Sequence, residues 1–203
     1  VLGRVIKWLN ENQELVDRSA KAQFLRSRMQ EITKGELKYG PDTIFLKIGQ
    51  KTILPTTMAA GQMEIWPFWA IVEGGISSER LKPACIYFDE PEAHLHPSAQ
   101  KAVVEMIACL ANQGLQFVLA THSPYVLYAI NVLLKAHEVQ ISGHKLPQAI
   151  PPAAVLAPAQ VAAYRFSANG IVHNIKDPET ELIDEEELDR VADDLGTTFT
   201  ELL

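Results

Sequence analysis

Cysteine is scarce in this sequence: two in 203 residues, Cys85 and Cys109, each inside an apolar run. Two thiols cannot staple a small secreted fold, and their placement argues for a reduced compartment rather than a disulfide framework. Long apolar stretches are scarce as well. The longest window, residues 115–134, is interrupted by Thr121, His122, Ser123, Pro124 and Asn131, which makes its centre too polar to span a bilayer. The first residues lack the basic, apolar, small-residue order of a secretion signal, and two distant cysteines cannot build a zinc ribbon. Internal repeats and low-complexity tracts are missing. These absences argue against a secreted mini-protein, a membrane protein and a zinc-ribbon protein. They leave the expectation of a cytoplasmic protein with no membrane partner. No methionine precedes Val1, so a fragment is expected.

What is present suffices for a core. The chain is 47% hydrophobic and 21% charged, a composition that folds. Its net charge of −7 is unevenly spread. Residues 1–38 carry 8 cations against 5 acids, residues 39–176 balance at 9 each, and residues 177–203 hold 11 acids against Arg190 alone. The acidic end reads as a solvated helix. The mildly basic start is a weak electrostatic footprint, and charge alone does not nominate nucleic acid.

Apolar residues at helical spacing (Val5, Trp8, Leu9 and Val16, then Phe24, Leu25, Met29 and Ile32) predict helix through residue 34. Gly35 and Gly40-Pro41 end it. Strands are expected at 36–39 and 43–47, with Gly49-Gln50 turning into a partner strand at 51–54 that Pro55 stops. Residues 63–76 are apolar nearly all round and predict a buried helix, with Pro67 in its first turns. Residues 84–88 form an unbroken apolar strand, read as covered on both faces of a parallel sheet. A helix from Ser98 and a second apolar strand at 115–120 complete a β-α-β order whose default is a parallel crossover. A further helix is expected at 125–134, a loop at 141–160, and two strands about the hairpin signal Asn169-Gly170. The end, residues 184–203, reads as an acidic helix with Leu188, Val191, Ala192 and Leu195 inward.

The chemistry concentrates where the first apolar strand ends. Asp89 and Glu90 emerge together after Phe88, at the strand edge where open α/β sheets bind ligands. An Asp there can hold magnesium through its water shell, and the adjacent Glu can polarise a water. Taken alone, the pair reads rather as a solvated strand end before a turn. The second strand also ends in a polar residue, His122, which can donate to a phosphate or to a water. If the two strands are neighbours, the three side chains converge.

The segment Ile86-Tyr87-Phe88-Asp89-Glu90-Pro91-Glu92-Ala93-His94-Leu95-His96-Pro97, followed by Ala120-Thr121-His122-Ser123-Pro124, resembles the Walker B and switch-histidine motifs of ABC-type ATPases, closest to the RecF-like and OLD-like AAA group. The resemblance implies the C-terminal part of a P-loop NTPase. Its α/β fold would be a mostly parallel sheet with flanking helices, plus a small β-hairpin region. It implies one partial ATPase domain: residues 1–60 leading to the signature motif, 61–135 the α/β core, and 136–203 a loop, hairpin and acidic helix. It implies ATP and Mg²⁺ as cofactors, Asp89 on the metal, Glu90 and His122 as catalytic residues, and Glu92, His94 and His96 in the loop at a dimer interface. His94 and His96 lack a third ligand nearby and are not assigned a metal of their own.

Met58-Ala59-Ala60-Gly61-Gln62 stands where the family has its signature, whose helix start faces the nucleotide of the partner subunit. Ala59, Ala60, Gly61 and Gln62 are thereby implied as nucleotide-binding in trans, with Ala59 in place of the usual serine. A Walker A motif is missing, since Gly49-Gln50-Lys51-Thr52 has glutamine where the second glycine belongs. The expectation is therefore a fragment, inactive by itself, of an ATPase that dimerises head to tail, with DNA or a partner nuclease as further partners. The alternative is a non-hydrolysing dimerisation or scaffold module with a degenerate site.

Overall fold

The helical periodicity of the first 34 residues resolves into two helices, α1 (Leu2–Glu11) and α2 (Ala20–Thr33). The structure, a computed structural model, describes residues 2–12, 19–40, 43–77, 84–184 and 186–202; Val1, Val16 and Pro41 lie outside them. Two compact units divide the chain, residues 1–120 and 121–203.

In the first unit, the Ser19 hydroxyl caps α2 by accepting from the Ala22 N–H at 3.2 Å. The helix ends on Lys34 in the left-handed conformation, φ 58°, so the stop falls one residue before the glycine that signalled it. Gly35 serves another purpose. A Cβ there would lie 2.7 Å from Ile48 Cγ1 and 2.8 Å from the Lys47 carbonyl, so its absence lets the chain pass close to the next sheet. That sheet is antiparallel, β1 (Glu36–Tyr39), β2 (Ile44–Ile48) and β3 (Lys51–Ile53), with Ile44 and Leu46 buried. A 3-10 turn at Pro55–Thr57 follows.

Helix α3 (Ala60–Ser77) starts three residues earlier than its apolar pattern suggests, which places Pro67 in its interior rather than its first turns. Proline there leaves the Met63 carbonyl without its i+4 donor, and the helix continues under the packing of α1 and α2. Ile65, Trp69, Ala70 and Val72 are buried, but Ile71 is exposed, so α3 is not covered all round. Inside, Glu73 accepts from Arg26 Nε at 2.9 Å and from the Tyr39 hydroxyl at 2.6 Å, joining α2, β1 and α3.

Strands β4 (Cys85–Asp89) and β5 (Gln116–Ala120) pair in parallel across α4 (Pro97–Ala111), with Asp89 opposite Ala120. Parallel pairing among the described residues is confined to these two strands. One face packs on α3: the Phe68 ring lies 5.1 Å from Phe88 and 6.3 Å from Phe117. Among the described residues the other face is open, with Tyr87 79% and Val118 48% exposed. The expectation of cover on both faces is corrected here, because an apolar run records which residues tolerate burial and not what covers them. Helix α4 packs on α2, and its Ala102, Val103, Met106 and Leu110 are buried.

In the second unit, α5 (Pro124–Ile141) runs seven residues past its expected end. Asn131 fastens a distant segment to it, donating from Nδ2 to the Ile183 carbonyl and accepting the Ile183 N–H, both at 2.8 Å. Two 3-10 turns, Pro152–Ala154 and Pro158–Gln160, lie in the stretch read as loop. The hairpin forms as β6 (Tyr164–Phe166) and β7 (Val172–Asn174). Helix α6 (Glu186–Glu201) forms at the acidic end, but Leu195 is 66% exposed rather than inward. The side chains of Leu188, Val191 and Ala192 lie outside the described residues. No described helix is long and apolar enough to cross a membrane.

Candidate functional site

The end of β4 builds the acidic centre. Asp89 is the last strand residue and is exposed. Glu90 donates its backbone N–H to the Ala120 carbonyl at 2.8 Å, continuing the ladder one step past the strand. Its φ of 45° is left-handed, an unfavourable state for a residue with a Cβ. Backbone strain of this kind persists where the surroundings impose it and concentrates at functional sites. The loop then folds on itself, with Ala93 N–H donating to the Glu90 carbonyl at 2.9 Å and Leu95 N–H to that of Glu92 at 3.0 Å. Neither the Asp89 nor the Glu90 carboxylate is taken up by a side-chain hydrogen bond or ion pair among the described residues.

The first turn of α3 comes against this loop. Asp89, Glu90, Pro91 and Leu95 line a cavity of about 310 Å³ together with Gly61, Glu64 and Ile65 of α3. Gly61 makes the approach feasible, since a Cβ there would lie 2.7 Å from both the His94 carbonyl oxygen and Leu95 Cδ2. Glu64, which the motif reading did not single out, reaches His94 Nε2 at 3.4 Å. The signal for it was its place one helical turn beyond Gly61, on the same face.

The remaining candidates divide between roles. Gln62 has its amide engaged inside the chain, accepting from Ala59 N–H at 3.0 Å and donating to the Thr33 carbonyl at 2.7 Å. His96 caps α4: its Nδ1 accepts from Ser98 N–H at 3.3 Å and sits 3.0 Å from the Ser98 hydroxyl. Glu92 lies half-buried in the loop, and Ala59 and Ala60 are exposed at the start of α3. His122 is exposed, two residues beyond the end of β5, and belongs to the second unit. No group of three or more His, Cys, Asp or Glu side chains among the described residues is arranged to hold a metal ion.

Comparison with known proteins adds the family. The chain is 34% identical over 73 residues to the Old nuclease of Escherichia phage P2, a stretch that is 36% of this chain and 12% of that protein. The chain thus spans a small part of that relative. Among solved structures, it is similar to a chain described in work on ATP-driven dimerization and DNA-stimulated activation of SMC ATPases, with a TM-score of 0.46, 14% identity and coverage of 87% of this chain and 91% of that one. A structure of the SmcHead bound to the C-winged helix domain of ScpA gives a TM-score of 0.41 and 16% identity, covering 63% of this chain and 47% of that one. The family model described as AAA ATPase domain matches residues 10–127, more than half of the chain and the whole of the acidic centre, and the chain belongs to that family.

Proposed function

We propose that this chain supplies the acid-bearing part of a magnesium–ATP site, which the complete protein uses to hydrolyse ATP between two copies arranged head to tail. One observation carries the reading. In a member of an ATPase-domain family, Asp89 and Glu90 leave the tip of a parallel strand and line a cavity with the start of α3.

The donor set suits magnesium: two carboxylates, hard oxygen ligands, are left without a cationic partner among the described residues. Two carboxylates are too few to enclose the ion, which fits a cation that keeps waters and shares its shell with phosphate. Bound there, magnesium would neutralise charge on the phosphate oxygens. Asp89 would hold it through water. Glu90 would orient a water and take its proton, and His122, following β5, would donate a hydrogen bond to the terminal phosphate. The start of α3 would present the backbone N–H groups of Ala60, Gly61 and Gln62 to the nucleotide of the partner subunit, the Ala59 N–H being taken by Gln62 Oε1. The loop with Glu92, His94 and His96 would lie at the dimer interface. The sequence has no Gly-x-x-x-x-Gly-Lys-[Ser/Thr], so the phosphate-cradling loop would come from chain outside these residues. DNA and a nuclease partner are further partners in this reading, supported by the similarity to a nuclease.

The test is ATP turnover by the full-length protein. Magnesium-dependent hydrolysis is expected there and not from residues 1–203 alone. Glu90→Gln should keep ATP binding while slowing turnover at least about a hundredfold, the size of a lost general base. Undiminished turnover in Glu90→Gln, or robust hydrolysis by the 203-residue chain, would falsify the assignment. Nucleotide binding without turnover in the wild-type protein would instead favour a scaffold with a degenerate site, the reading that Ala59 in the serine position supports.

A further inference from the structure

Resting on the nucleotide reading above, we infer that the side chain of Gln62 is a positioning group that fastens the start of α3 to the end of α2, and is not itself a contact to the nucleotide. A carboxamide offers one acceptor oxygen and one donor nitrogen, and both are used within the chain. The oxygen accepts Ala59 N–H at 3.0 Å and the nitrogen donates to the Thr33 carbonyl at 2.7 Å. Helix starts leave N–H groups without intrahelical partners, and helix ends leave carbonyls. Gln62 satisfies one of each, on two different helices.

Both ends of this tether are firm. Thr33 is fully buried, its hydroxyl donates to the Met29 carbonyl at 2.8 Å, and Lys34 stops α2 immediately after it. On the other side, Gly61 is seated on the His94 carbonyl, part of the loop that begins at Glu90. The first turn of α3 is thus held between α2 and the Glu90 loop. Its N–H groups therefore stand at a distance from Glu90 set by these two contacts. Turning the Gln62 amide toward a nucleotide would strip Ala59 N–H and the Thr33 carbonyl of their partner together. Glutamate can replace only the acceptor half.

The experiment compares wild type, Gln62→Ala and Gln62→Glu in the full-length protein, by backbone amide exchange without nucleotide and by steady-state ATP hydrolysis. Exchange at Ala59 should quicken about fivefold in Gln62→Ala, the size of one modest hydrogen bond, and stay near wild type in Gln62→Glu, whose carboxylate still accepts. Both variants should lower kcat while leaving KM for ATP within about twofold, the pattern of misplaced machinery rather than lost ground-state binding. Unchanged Ala59 exchange in Gln62→Ala overturns the inference. So does a raised KM at unchanged kcat in either variant, which would make the Gln62 side chain a nucleotide contact. A wild-type protein that does not hydrolyse ATP removes the nucleotide reading instead, and the exchange comparison then still decides whether the tether exists.

Discussion

Glu73 is 7% exposed, yet it stays tolerable inside the first unit because two donors from different elements, Arg26 and Tyr39, meet its two oxygens. The Tyr39 hydroxyl bears the consequence. Burial first, then the charge of Glu73 and the hydrogen bond to it, push its pKa far above the ordinary 10.0. A raised folded pKa means that the neutral phenol is the form the fold prefers. Its stabilisation is complete below about pH 10 and is lost as the pH rises beyond it. Denaturant midpoints should therefore fall as the pH rises above about 10, and less steeply in Tyr39→Phe; parallel curves would contradict this. At Ala59 a hydroxyl acceptor is missing. Gln62 already reaches back to the Ala59 N–H, one half of a capping box, and alanine cannot return the other half. Ala59→Ser should raise stability by about 1 kcal/mol, visible as a higher Tm. The two thiols should separate by reactivity: Cys85 is exposed, whereas burial pushes the Cys109 thiol upward. A thiol reagent should modify Cys85 in the native protein and Cys109 only after unfolding; equal labelling rates would refute the packing of α4.

At the scale of elements, the α2–α4 contact buries an acid. Glu105 is 2% exposed, 3.2 Å from both Arg28 Nη1 and Lys101 Nζ, while Arg28 also lies over the Phe24 ring. Arg28→Ala should cost about 3 kcal/mol by leaving that carboxylate undercompensated, whereas a paired change of Arg28 and Glu105 to leucine should cost much less. Urea unfolding of the single and double variants separates these outcomes, and equal losses would mean that shape and not charge governs the contact. In the second unit, Asn131→Ala removes both bonds to Ile183. A loss of about 2 kcal/mol is expected, read as faster amide exchange at Ile183.

For the whole molecule, the legible parts were those with short-range causes. The β4–α4–β5 order, the antiparallel sheet around Gly49-Gln50 and the hairpin at Asn169-Gly170 follow from periodicity and turn chemistry, which act over a few residues. The acid pair was legible because two carboxylates ending an apolar strand are a local event. Glu64 was legible only as a residue on the face of Gly61, since only the approach of Gly61 to His94 brings α3 to that loop. The second role of Gln62 escaped for the same reason: its partner, Thr33, is 29 residues away in the chain. The inward placement of Leu195 and the double cover of β4 failed together, because amphipathic pattern fixes which face is apolar and leaves open what meets it.

The sequence by itself determined the helices and strands, their order, the parallel pairing and the position of Asp89 and Glu90 at a strand tip, since backbone preference and side-chain alternation are properties of neighbours along the chain. Only the tertiary structure decided that the start of α3 closes a cavity with those acids, that Gln62 ties two helix ends, and that Tyr87 faces outward. Those outcomes depend on surfaces distant in the chain being brought within a few ångströms, where packing and hydrogen-bond satisfaction choose among arrangements that local preference leaves equal.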